Sequence, residues 1–117
     1  MKKNFFKNSF GNEILFSKKE YLDRVKKVKL KMSKNNIDVL LVASPANQFY
    51  LTGYDGWSFY TPQMVLISLS EKYPYWIGRK MDAVGAKFTA FLDKDNIVPY
   101  PDHYVASQKI HPMDYRS

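Results

Sequence analysis

The chain predicts an α/β fold, a sheet of short strands packed by amphipathic helices, and three stretches carry that expectation. Tyr21, Val25, Val28 and Met32 fall at spacings of four, three and four, which places them on one face of a helix. Asp38 to Ala43 (DVLLVA) is a continuous run rich in branched residues, as in a strand inside a sheet. Met64 to Leu69 (MVLISL) and Tyr75 to Gly78 (YWIG) are two more strand-like runs. The turn between them, Ser70 to Tyr73, is short enough to make them an antiparallel hairpin.

Taken in order, residues 1–16 form an aromatic arm. Phe5, Phe6, Phe10 and Phe16 lie among lysines and asparagines at no steady period, so an irregular arm whose rings dock on a neighbour is expected. Ser17 opens a capping box, S-K-K-E, in which the serine oxygen can accept from the Glu20 backbone while the glutamate reaches back. The helix that follows is studded with lysines, and Asn35 with Asn36 supplies a left-handed stop. DVLLVA then reads as a central strand buried on both faces. Ser44 ahead of Pro45 starts a brief helix through about Tyr50, and Gly53 ends it.

Beyond the hairpin, Met81 to Phe91 reads as a second amphipathic helix with Val84, Phe88 and Phe91 on its apolar side. Asn96 to Tyr100 is a fourth, short strand. Pro99, Pro101 and His103 to Ser107 suggest an extended crossing. His111, Pro112, Met113 and Asp114 then resemble the opening of a helix, with Asp114 placed favourably against its dipole. A chain that stops at Ser117, before that helix is complete, reads as the front piece of a longer protein. The expected organisation is an arm over 1–16, an α/β domain over 17–110, and a helix start over 111–117 leading to a missing C-terminal domain.

At 117 residues and 45% hydrophobic composition, the chain can bury one core. It has no cysteine, which excludes a disulfide framework, a thiolate metal site and a cysteine nucleophile. The basic start is interrupted by Lys7, Asn8 and Asn12 before any useful apolar run, unlike a secretion signal. No window approaches the roughly 20 apolar residues of a membrane span, so a soluble, cytoplasmic protein without a membrane partner is expected. The formal charge of +7 raises an acidic partner or nucleic acid as a possibility.

Little of this sequence supports catalysis. Only His103 and His111 could serve as ordinary bases, and no serine sits in a nucleophile elbow. The scattered glycines match no phosphate-cradling loop. Asp102, His103, His111 and Asp114 are the best metal-competent set, but a solvated turn followed by a helix cap accounts for them more simply. Asp55 and Asp82 read as a turn former and a helix-start charge. The basic residues encircle the first helix rather than forming one stripe, so a solvated face is preferred to a phosphate-binding one and nucleic acid is not the expected partner.

The stretch from Asn47 to Gln63 (NQFYLTGYDGWSFYTPQ) resists so plain an account, because it packs six aromatic rings beside two glycines. Tyr54 to Trp57 reads as a turn. Leaving Trp57, Phe59 and Tyr60 in water forfeits on the order of 2 kcal/mol per ring, so either the chain's own core or another surface covers them.

These residues carry a resemblance. EYLDRVKKVKLKM, then NNIDVLLVASPANQFYLTGYDGWSFY, then the hairpin and YWIGRKMD, resemble the N-terminal domain of the creatinase, prolidase and aminopeptidase P superfamily over roughly Ser17 to Tyr115. Its most specific piece is IDVLL followed by SPANQFYLTGY. Within the superfamily, GYDGWSFYTPQ and the DHYV…HPMD ending look most like the ectoine hydrolase branch. The resemblance implies a three-layer α/β domain with a mixed, ribonuclease-H-like sheet, preceding a catalytic domain outside this chain. That domain would hold a divalent metal pair and act on a small amide or dipeptide, so no catalytic or metal-binding residue is expected here.

The resemblance also implies a homodimer in which this domain's aromatic loop reaches toward the partner's active site. Tyr54, Trp57, Phe59, Tyr60 and Thr61 are the resulting candidates for pocket or dimer contacts. By position, Phe59 matches the aromatic that creatinase presents to its substrate. Thr61 stands where creatinase has an arginine, which argues against creatine. The alternative function is a small basic module that binds nucleic acid or an acidic protein.

Overall fold

The computed structural model describes residues 6–56 and 62–101. Two short strands, β1 (Phe6–Lys7) and β2 (Glu13–Ile14), pair antiparallel ahead of α1 (Lys18–Lys34). Then come β3 (Val39–Val42), α2 (Pro45–Thr52), β4 (Met64–Ser68), β5 (Tyr75–Arg79), α3 (Lys80–Thr89) and β6 (Ile97–Tyr100). The sheet runs β3-β4-β5-β6 in space. Both β3 with β4 and β4 with β5 are antiparallel, whereas β6 lies parallel to β5 and is reached through α3. The mixed α/β sheet expected from the sequence is therefore present.

Local chemistry sets the helix ends. Ser17 accepts from the Glu20 N–H at 3.1 Å, while the Glu20 carboxylate meets Arg24 at 3.3 Å. Asn36 adopts φ of 59° past the end of α1, the left-handed stop that the paired asparagines suggest. Ser44 caps α2 with Pro45 in its first turn. Gly53 closes α2 at φ of 84°, its N–H bonded to the Phe49 carbonyl at 2.8 Å. A Cβ there would stand 2.8 Å from the Thr89 carbonyl oxygen, so only glycine fits.

Strand alternation gives the sheet two different faces. On one, Val65, Ile67, Trp76 and Ile97 are fully or almost fully buried and join one core with Tyr21, Val25 and Met32 of α1, Leu51 of α2, and Ala83 and Ala86 of α3. Burying an aliphatic side chain such as Val65 or Ile67 stabilises by about 2 kcal/mol. Tyr21 also stacks on Phe91, with ring centroids 5.0 Å apart and planes 2° apart. Trp76 lies over Gly78, leaving no room for a side chain. The described residues thus supply the sheet and one helical layer. Val39, Leu41 and Val98 point to the opposite face and are 52, 55 and 41% exposed.

Three local expectations change. Among the described residues β3 is neither central nor buried on both faces: it lies at the edge of the sheet, with Val39 and Leu41 outward. Its pairing, among the described residues to β4 alone, decides this, and a run of aliphatics does not encode its neighbours. The second helix buries the small residues Ala83 and Ala86 and exposes Val84 and Phe88, at 56 and 57%. Alanines let α3 approach closely, so the larger side chains turn outward. The described part of the arm is held to the domain by Asn8, whose buried amide donates to the Lys87 and Ala90 carbonyls at 2.8 Å and whose Oδ1 accepts from the Phe10 and Asn12 N–H groups at 3.0 Å. Asn8 thereby ties the β1–β2 turn to the orphan carbonyls at the end of α3.

Candidate functional site

Both stems of the aromatic stretch are fixed to the frame. On the entry side the Tyr54 N–H donates to Thr52 Oγ1 at 3.1 Å, and the buried Thr52 hydroxyl donates to the Gln48 carbonyl at 2.8 Å. The Asp55 N–H donates to Thr89 Oγ1 at 3.0 Å, and the Phe91 N–H to the Thr52 carbonyl at 2.9 Å, which pins the stem to the end of α3. On the return side the Tyr100 hydroxyl donates to the Pro62 carbonyl at 2.8 Å, and Gln48 Nε2 donates to the Gln63 carbonyl at 3.0 Å. Fixed stems reduce the entropy cost of holding whatever the loop presents.

Tyr54 lies inside this base rather than projecting from it. Only 3% exposed, its ring packs 5.1 Å from that of Trp76 at 55°. Burial, followed by the nearby Asp82 carboxylate, pushes its pKa up to about 12; Asp55 adds to the shift and the neighbouring Gln63 side chain opposes it. Asp82 itself opens α3 and pairs with Arg79 at 3.3 Å. Around Tyr54, the buried atoms Gln48 Oε1, Gln63 Nε2 and Trp76 Nε1 find no hydrogen-bond partner among the described residues. The loop base therefore places polar atoms beside an otherwise apolar core.

Of the sequence-derived candidates, Tyr54 serves as a buried support, while Trp57, Phe59, Tyr60 and Thr61 lie outside the described residues. So do Asp102, His103, His111 and Asp114, together with the extended crossing and the helix start near the end. Among the described residues no three His, Cys, Asp or Glu side chains gather into a metal site, so this part of the chain offers no donor set for the expected metal pair. No described helix is long and apolar enough to cross a membrane.

Sequence reasoning missed the outward stripe of α3. Met81, Val84 and Phe88 are each more than half exposed, at spacings of three and four, on the helix that anchors the loop stem. The signal was available, since Ala83, Ala86 and Ala90 form a second, small-residue stripe at helical spacing.

The Creatinase/Prolidase N-terminal domain family matches residues 24–112. The chain belongs to that family. This creatinase-type domain is 53% identical over 100 residues to an ectoine hydrolase of Halomonas elongata, covering 86% of this chain and 25% of that protein. It is 47% identical over 100 residues to an uncharacterized hydrolase/peptidase of Sinorhizobium fredii, covering 86% of this chain and 26% of that protein. The creatinase-type domain thus spans about a quarter of the length of these relatives. Its fold is shared with the dipeptidase PepE of Mycobacterium ulcerans, at a TM-score of 0.65 and 16% identity over 79% of this chain and 26% of that one. The resemblance carried by SPANQFYLTGY is borne out.

Proposed function

We propose that this chain is the non-catalytic N-terminal domain of a dimeric, metal-dependent C–N hydrolase, and that it serves dimerisation and shapes the substrate pocket of the partner subunit. The observation that carries the reading is the exposed stripe of Met81, Val84 and Phe88 beside the pinned stem of the aromatic loop. A helix that buries alanines and presents large apolar side chains has an outer face suited to a second surface. Kinship with an ectoine hydrolase and a hydrolase/peptidase supports a small amide or dipeptide as the substrate, and the metal pair would be held by residues beyond this chain. Phe59, flanked by Trp57 and Tyr60, is the ring assigned to the partner's pocket.

The test uses the full-length protein. Val84→Asp with Phe88→Asp is expected to shift it from dimer to monomer in analytical ultracentrifugation. Phe59→Ala is expected to lower kcat/KM toward ectoine or a dipeptide about tenfold or more while leaving the dimer intact. Hydrolysis of either substrate at an enzymatic rate by the 117-residue chain alone would overturn the non-catalytic assignment.

A further inference from the structure

α1 carries a second surface, at the opposite edge of the sheet from α3. Lys27, Lys31 and Lys34 fall at spacings of four and three, and Arg24 stands one turn ahead of them, so these four do form one row among the many basic residues of the helix. Together they rim a groove of about 440 Å³. Arg24 is already engaged: its guanidinium lies 4.4 Å from the Phe16 ring centroid, 4.5 Å from that of Tyr50 and 3.3 Å from the Glu20 carboxylate. The three lysines have no ion pair among the described residues. Among the described residues no carboxylate lines the groove.

The floor between these lysines is apolar. Val28, Leu30 and Tyr50 form it, with Leu30 at 57% and Tyr50 at 44% exposure. Past Val28 and Tyr50 a second depression of about 250 Å³ continues over β3, lined by Leu40, Val42 and Leu51 with Asn47 the one polar residue. A row of cations beside an apolar trough selects for a segment with both carboxylates and aliphatic side chains.

We propose that this groove docks an acidic amphipathic helix of a partner protein. Its carboxylates, at spacings of four and three, would face Lys27, Lys31 and Lys34 over about 10 Å of helix axis. Its apolar side chains cover Leu30 and enter the depression at Leu40 and Val42. Charge complementarity names this occupant: the chain carries +7, and the acidic residues of its own α1, Glu20 and Asp23, are paired with Arg24 and Lys19. A second copy is therefore a poor match. A phosphate backbone would satisfy the lysines but leave the aliphatic floor in water. The inference does not depend on the hydrolase reading, because among the described residues neither α3 nor Tyr54 to Gly56 of the aromatic loop lines the groove.

The test is fluorescence anisotropy on the full chain with a labelled synthetic peptide of about four helical turns, bearing one row of Glu and an adjacent row of Leu. Saturable binding is expected. The affinity is expected to fall about tenfold or more in K27E/K31E/K34E, and several-fold in Leu30→Ser or when the peptide's leucines become serine. It should change less than about twofold in K26E/K80E/K94E, which removes the same charge outside the groove. Circular dichroism melts check that each variant is folded, as expected for substitutions at exposed side chains. Absence of saturable binding overturns the proposal. So does indifference to Leu30→Ser together with the serine peptide, which leaves charge alone. Tighter binding of a double-stranded DNA oligonucleotide, with the same lysine dependence, assigns the surface to nucleic acid instead.

Discussion

Replacing Tyr54 by Phe should reverse the sign of its effect on stability between neutral and alkaline pH. The phenol titrates at about 12 in the folded chain, against 10.0 for an unburied tyrosine. Because the folded value is the higher one, the stabilisation is fully present below pH 10 and is lost as pH rises through 12. At about pH 8 the variant lacks the polar hydroxyl that sits beside the Gln63 side chain and should be less stable by roughly 1 kcal/mol. At about pH 11 the unfolded wild-type chain gains from ionising Tyr54 while the folded chain does not, which costs the wild type about 1.4 kcal/mol. The Tyr54→Phe chain carries no such cost, so it should equal or slightly exceed the wild type there. Urea unfolding of both proteins at the two pH values measures the difference, and the titrations of lysines and other tyrosines cancel between them. A stability difference that stays constant across that range would refute the burial of an un-ionised Tyr54 against Trp76 and Asp82.

Three further outcomes follow from the packing. Asn8→Ala removes both donors to the end of α3 and the acceptor for the Phe10 and Asn12 amides, and should cost about 2 to 3 kcal/mol in denaturant unfolding. Gly53→Ala combines positive-φ strain of about 1 to 2 kcal/mol with a clash against the Thr89 carbonyl oxygen; calorimetry should show a loss of at least about 2 kcal/mol, whereas Gly11→Ala, with open space around it, should show strain alone. Val84→Lys with Phe88→Lys should change the stability of the isolated 117-residue chain by no more than about 0.5 kcal/mol per site, since both residues are more than half exposed; a drop of several kcal/mol in a thermal melt would mean that these side chains belong to the core.

How far the sequence could be read depended on the range over which each feature is decided. α1 and α2 were legible almost to the residue because their ends are local chemistry: Ser17 and Ser44 bond N–H groups three residues on, and Gly53 takes a backbone angle that side chains avoid. The hairpin of β4 and β5 was legible for the same reason, since a short turn leaves few alternatives. Whether β3 sits at the centre or the edge depends on which strands pair with it. Val39 to Val42 therefore looked the same either way.

α3 and Tyr54 show the same limit at the candidate site. In α3 two apolar stripes interleave, and size alone suggested that Val84 and Phe88 faced inward. In the fold the small stripe is the inward one: Ala83 and Ala86 are buried in the same core as Trp76, whose ring fills the space above Gly78. That same indole supplies the surface on which Tyr54 packs, so a residue that the resemblance makes a candidate for pocket or dimer contacts lies inward. One bulky residue on β5 thus meets two neighbours at once: it shares the core with the small face of α3, and Tyr54 packs against it. The small inward face of α3 and the buried Tyr54 thus share one packing centre, at Trp76 on β5.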